Sequence, residues 1–168
     1  MSGGLTFGEG YTPTLIGQIV SMHASYYADL VGFGAAFEIK VASELASFID
    51  RLSHPHNAIW WAAIDGTIAA SIAIDGQGTP EEPAILHWFI VDPRLQGRGI
   101  GRRLMDSAMT FCDGHGFPQV ELSTFVGLVA ARGLYEQAGF TLVHEQTGRS
   151  WGQPVTEQIF RRAKSRQH

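Results

Sequence analysis

Apolar residues recur along this chain with two different periods, and glycine, proline and aspartate mark where one period gives way to the other. "LTFGEG" at 5–10 opens as a short strand. After Thr12-Pro13, Ile16, Ile19, Val20, His23, Tyr26, Tyr27 and Leu30 fall at helical intervals, and Val41, Leu45, Phe48, Ile49 and Leu52 line one face of a second helix from about Glu38 to Leu52, which "SHPHN" ends. "AIWWAAIDGTIAASIAID" then reads as two strands about an Asp65-Gly66 turn, because glycine accepts the positive φ that a tight hairpin needs. "PAILHWFIVD" at 83–92 is nearly unbroken apolar chain, as expected of a strand covered on both faces. Leu104, Met105, Ala108, Met109, Phe111 and Cys112 give a helix from Gly99 to about Gly114, stopped by "DGHG". "QVELSTF" predicts a strand, "LVAARGLYEQA" a helix closed by Gly139, and "FTLVHEQ" with "VTEQIFRR" a final hairpin. The order is strand, two helices, three strands, helix, strand, helix, two strands. It predicts an α/β (α+β) domain over 1–168 with a mixed, mostly antiparallel sheet and helices on both faces.

Composition narrows the setting. With 168 residues, 45% of them hydrophobic, the chain can bury one proper core. No run approaches the length of a membrane span, and "MSGGLTFGEGYTP" lacks the basic-then-apolar order of a signal peptide, so a cytoplasmic protein with no membrane partner is expected. The single cysteine, Cys112, reads as a small core residue, and no histidine or cysteine spacing suggests a metal. The net charge of −4 argues against nucleic acid as a partner. That charge is unevenly spread: residues 1–93 hold ten acidic residues against Lys40 and Arg51, whereas 94–168 hold ten basic against six acidic. "RRAKSRQH" at 161–168 accounts for part of the excess as a solvated end, but the arginines at 94, 98, 102 and 103 lie inside the domain.

Those arginines share "DPRLQGRGIGRRLMDSAM" with Gly97, Gly99 and Gly101, directly before a helix. The first amides of a helix have no intrahelical acceptor, and the helix dipole puts partial positive charge there, so the segment suits a phosphate that the glycine backbone approaches closely. Arginines in a first helical turn oppose the dipole, a conflict that a bound anion relieves. The plain alternative is a glycine-rich turn with solvated arginines. A dinucleotide fingerprint is excluded, because Arg102 stands at its third glycine position, and the Gly-Lys-Ser/Thr of a P-loop is absent.

"VDPRLQGRGIG", with Gln96, Gly99 and Gly101, and "AARGLYEQAGF" about thirty residues later together resemble the two signatures of the GNAT superfamily of acyl-CoA-dependent N-acetyltransferases. The chain looks closest to the acetyltransferase half of proteins that fuse a MarR-type regulator to such a domain. The resemblance implies a sheet splayed between its fourth and fifth strands, with acetyl-CoA as cosubstrate and no metal. By the same resemblance, the backbone of Gln96, Gly97, Arg98, Gly99, Ile100, Gly101 and Arg102 holds the pyrophosphate. Phe89, Ile90 and Val91 face the pantetheine and the thioester carbonyl, Leu128 stands where an asparagine usually touches the cofactor, and Tyr135 is the acid that protonates the departing thiolate. The acceptor is a primary amine of a small molecule or peptide, and a homodimer is compatible with the family.

The base stays open. Strand alternation puts Gln119, Glu121, Ser123 and Phe125 on one face, yet Ser123 and Ile85 replace acidic residues of relatives, which leaves His87, Glu121 or a water chain. His23, Tyr26, Tyr27, Phe33, Phe37 and Trp151 are candidates for the acceptor pocket, each with plain packing as the alternative. The acidic first half favours a cationic amine. A non-catalytic acyl-CoA sensor is the competing reading, supported by the departures at Ile85 and Leu128.

Overall fold

A computed structural model describes residues 4–77 and 81–164. Twelve elements follow in chain order: β1 (Leu5–Glu9), α1 (Leu15–Val31), α2 (Ala35–Asp50), β2 (Asn57–Ile64), β3 (Thr67–Asp75), β4 (Ala84–Val91), a 3₁₀ turn (Pro93–Leu95), α3 (Ile100–His115), β5 (Gln119–Phe125), α4 (Val129–Gln137), β6 (Thr141–Gly148) and β7 (Val155–Ala163). The seven strands form one sheet in the order β1-β2-β3-β4-β5-β7-β6, antiparallel throughout except for the parallel β4–β5 pair. The expected element order holds, and only the 3₁₀ turn was not foreseen.

Local chemistry explains the joints. Asp65 and Gly66 both take positive φ, 49° and 83°, as a two-residue hairpin matched to strand twist requires. Gly116 closes α3 in the left-handed conformation, its N–H returning to the carbonyls of Cys112 and Asp113. Asp92 caps the 3₁₀ turn by accepting from the Arg94 N–H, with Pro93 at the first position.

Alternation along β2 divides the interior. Ala58, Trp60 and Ala62 face α3 and α4 with Leu104, Met105 and Phe140, while Ile59 and Ala63 face α1 and α2 with Leu15, Ile19, Leu45 and Phe48. Full burial of such a leucine or isoleucine contributes about 1.5–3 kcal/mol. Cys112 is indeed a core residue, 1% exposed, and burial pushes its thiol up to about 12. An aromatic cluster of Phe33, Phe37 and Phe125 with Tyr27 and Trp151 extends the α1/α2 side toward the carboxyl ends of the central strands.

The basic end departs from expectation before residue 164. Arg161 donates to Glu121, and Arg162, 11% exposed in its side chain, donates to both Asp113 carboxylate oxygens and to the Ala138 carbonyl. These two arginines tie β7 to β5, α3 and α4. The remainder of the expected solvated end, 165–168, lies outside the described residues.

Candidate active site

The parallel pair sets the site. β4 and β5 are in register only at Ala84 with Val120 and Ile85 with Glu121, after which the strands diverge toward their carboxyl ends. β4 is distorted on its other side too. Opposite β3 its register jumps between Ser71–Ile90 and Ala73–His87, a bulge that leaves Trp88 at φ 49°. A bulky residue in that region is strained by roughly 1 kcal/mol or more. The fully buried Ser71 hydroxyl holds the distortion by donating to the Trp88 carbonyl at 2.7 Å, and the indole packs on Phe48 and stacks on His87.

Two cavities flank the divergence and share Tyr27, Phe89 and Leu128 as a common wall. One, of about 270 Å³, runs along Phe89, Ile90 and Val91 to Gln96 and the start of α4. The other, of about 330 Å³, opens between α2 and the loop joining β6 to β7. The gap between the splayed strands therefore has a cavity at each of its two mouths.

The glycine segment stands at the first mouth. Gly97 and Gly99 have φ of 84° and 77° with open space where a Cβ would be, and Gly99 begins α3. The amides from Gly97 to Arg102 have no hydrogen-bond acceptor among the described residues, since the first return bond of the helix is from Arg103 to Gly99. Gly101 differs. A Cβ there would lie 3.0 Å from Leu134 and 3.4 Å from Phe89 and Val91, so its small size lets α3 pack on β4 and α4. The arginines also divide. Arg94 pairs with Asp92, Arg102 donates to Gln137, and the Arg103 guanidinium lies 3.7 Å above the Phe7 ring, which leaves Arg98 as the one of the four without a partner among the described residues.

Tyr135 lies on the wall of the larger cavity. It is 6% exposed, with its ring about 6 Å from those of Phe89, Phe140 and Phe160. Burial raises its phenol above the ordinary range, so it stays protonated, and its hydroxyl has no partner among the described residues. His87 and Ser123 border the same cavity. Burial lowers the His87 imidazole, although Asp75 and Glu44 pull it the other way.

Glu121 is not brought to that cavity. It sits at the closed end of the strand pair, where Arg161 across the β5–β7 ladder takes its carboxylate. Of the expected acceptor residues, His23, Tyr27, Phe37 and Trp151 line the larger cavity. Tyr26 instead lines the smaller one, and Phe33 lines neither, being packed among the rings of Tyr27, Phe37 and Phe125. His23 is neutral by construction: its Nδ1 donates to the Ile19 carbonyl at 2.8 Å, and burial lowers its pKa to about 4. Four polar residues of the larger cavity escaped the sequence reading, namely Lys40, Glu44, Ser150 and Glu157. Only the β5–β7 register, which sets Glu157 opposite Phe125, brings the last of these into view.

Comparison with known proteins agrees with this geometry. Residues 20–140 match the family model described as the acetyltransferase (GNAT) family. The chain is 38% identical over 99 residues to N-alpha-acetyltransferase RimI of Mycobacterium tuberculosis, covering 58% of this chain and 61% of that protein. It is 47% identical over 60 residues to mycothiol acetyltransferase of Beutenbergia cavernae, covering 34% of this chain and 20% of that protein. The chain thus spans about three fifths or less of the length of these curated relatives. A structure of yncA from Salmonella typhimurium with its cofactor acetyl-CoA superimposes with a TM-score of 0.74 at 13% identity, over 98% of this chain and 96% of that one. With a sheet splayed between β4 and β5, unpaired amides at the α3 start and a family match across most of its length, this chain belongs to the acetyltransferase (GNAT) family.

Proposed function

We propose that this protein is an acetyl-CoA-dependent N-acetyltransferase that passes an acetyl group directly to a primary amine of a small molecule or peptide. The observation that carries the reading is the splayed β4–β5 pair, with a groove leading to Gln96 and the unpaired amides on one side and a second, acceptor-sized cavity on the other. Bound acetyl-CoA supplies the activated acyl group. The residues present fit it: the amides of Gly97 to Arg102, with Arg98, suit a pyrophosphate, and the apolar groove along Phe89, Ile90 and Val91 suits a pantetheine arm. The neighbouring strand backbone, freed by the divergence, offers hydrogen bonds to its amides. Reaction in the cytoplasm, and a nearer kinship to the acetyltransferase half of MarR-GNAT fusions, belong to the same proposal.

The acceptor amine attacks in its neutral form, so the enzyme must receive one proton from it and give one to the departing thiolate. Tyr135 is the donor, a phenol kept protonated by burial beside the larger cavity. With Glu121 committed to Arg161, His87 or water carries the amine proton away. That commitment, together with Ile85, Ser123 and Leu128 in place of the polar residues of relatives, also favours the second reading of an acyl-CoA sensor without turnover.

Thiol release with an amine panel separates the two readings. Cys112, with its thiol buried and raised to about 12, stays silent to a thiol-reactive dye in the folded protein, so the signal is coenzyme A alone. Tyr135→Phe keeps the ring and should keep most CoA affinity while losing at least about tenfold in kcat, about 1.4 kcal/mol of transition-state stabilisation. CoA binding with no thiol released by any amine would establish the sensor instead.

A further inference from the structure

The larger cavity carries a charge pattern that bears on what it admits. Glu157 projects from β7 on the same face as Phe125, its direct partner across the β5–β7 ladder. Its carboxylate is held only by uncharged donors: the Ser150 hydroxyl at 2.6 Å and the Ser150 N–H at 3.3 Å. A Cβ on Gly148 would overlap that carboxylate, so the glycine leaves it room. Arg149, the nearest cation along the loop, makes no ion pair among the described residues. The one lysine bordering the cavity, Lys40, is already paired with Glu44 at 2.8 Å, and Arg51 nearby is paired with Asp75. The walls between these groups are rings: Phe37, Trp88, Phe125 and Trp151.

One uncompensated carboxylate among aromatic faces is the chemistry that recognises an organic cation, through a charge-assisted hydrogen bond and through attraction of the cation to the ring faces. A carboxylate on the acceptor meets two carboxylates, Glu44 and Glu157, against the single ammonium of Lys40, which Glu44 already shares. The cavity, at about 330 Å³, also lies at the small end of ligand sites.

We propose that Glu157 is a specificity-determining residue, which selects as acceptor a small monoamine with an aromatic or apolar body and no carboxylate of its own. Glu157 draws the amine in as its ammonium ion, and the acetyl transfer follows from the neutral fraction. The preference rests on the acetyltransferase reading, but recognition of the amine can be measured without turnover.

The test has two arms. In the first, 2-phenylethylamine, 2-phenylethanol and L-phenylalanine are titrated calorimetrically into the full chain saturated with coenzyme A. The amine should bind at least about tenfold more tightly than the uncharged alcohol or the amino acid, and Glu157→Gln should abolish that margin. In the second, thiol release from acetyl-CoA is followed with 2-phenylethylamine, L-phenylalanine and L-aspartate. The amine should give the largest kcat/KM, and Glu157→Gln should raise its KM about tenfold with kcat within about twofold. Equal or better use of L-phenylalanine or L-aspartate overturns the proposal, as does a loss confined to kcat, which would make Glu157 a base rather than a selector. Equal binding of the amine and the alcohol overturns it too, whether or not any thiol is released. A protein that binds the amine selectively but releases no thiol keeps the selector and loses the acetyltransferase reading instead.

Discussion

Single residues show how far side-chain identity alone can be trusted. Gly97 and Gly99 take the positive φ that favours glycine, whereas at Gly101 the missing Cβ makes room for helix packing, a difference that the residue name alone does not carry. Sequence names the residue but not the direction in which its Cα hydrogen points. Glu121 was one of three candidates for the base, and its partner was not legible because Arg161 lies forty residues away and meets it only through the β5–β7 ladder. His23 was seen as a pocket residue and does border the cavity, but its bond to Ile19 and its burial make it a neutral imidazole down to about pH 4. That has a consequence for stability. An unfolded histidine takes its proton near 6.5, so between 6.5 and 4 the unfolded chain binds the proton and the folded chain refuses it. The associated stability is complete above pH 6.5 and is lost as the pH falls toward 4, up to about 3 kcal/mol. His23→Gln, which keeps a donor for the Ile19 carbonyl, should flatten the fall in denaturation midpoint between pH 7 and pH 4.5 even if it lowers the value at pH 7. An unchanged slope would show that His23 is protonated in the fold.

At the level of elements, periodicity was a sound guide because it is local. Every predicted helix and strand is present, with ends displaced by at most a few residues. What escaped was everything set by one strand against another: the bulge at Trp88, the two-residue pairing of β4 with β5, and the alignment that brings Glu157 beside Phe125. The α3 start can now be tested as an element. Gly99→Ala places a methyl in open space but holds a non-glycine residue at φ 77°, which costs roughly 1–2 kcal/mol and leaves the packing of the helix alone. Gly101→Val instead drives branched carbons against Leu134, Phe89 and Val91. By calorimetry and thermal melting, Gly99→Ala should weaken CoA binding several-fold for a small loss of stability. Gly101→Val should lower the melting temperature most, with CoA affinity falling as the groove wall shifts. Equal stability of the two variants would mean that the α3 start tolerates either change and that its packing does not depend on Gly101.

Over the whole molecule, the uneven charge of the two halves suggested a positive field around the glycine turn, and the fold neutralises only part of that charge with carboxylates. Asp92 takes Arg94, Asp113 takes Arg162, Glu121 takes Arg161 and Asp75 takes Arg51. The attraction for a pyrophosphate therefore combines oriented amides with the charge of Arg98, which has no partner among the described residues, and of Arg102 and Arg103, which only uncharged groups hold. Amide hydrogen bonds act at contact and are little screened, whereas an exposed guanidinium acts through solvent and is screened within a Debye length of about 10 Å at 0.1 M salt and about 3 Å at 1 M. Affinity for CoA should then fall between 0.05 and 0.5 M sodium chloride by more than amides alone would give, because three guanidinium charges meet no carboxylate. Arg98→Gln should lose about three- to tenfold in affinity at low salt and part of the salt response with it. Arg94→Gln, which removes a charge that Asp92 already neutralises, should change neither. Calorimetric titration of CoA at both salt concentrations reads all three proteins, and a salt response that survives intact in Arg98→Gln would mean that Arg102 and Arg103, not Arg98, face the phosphates.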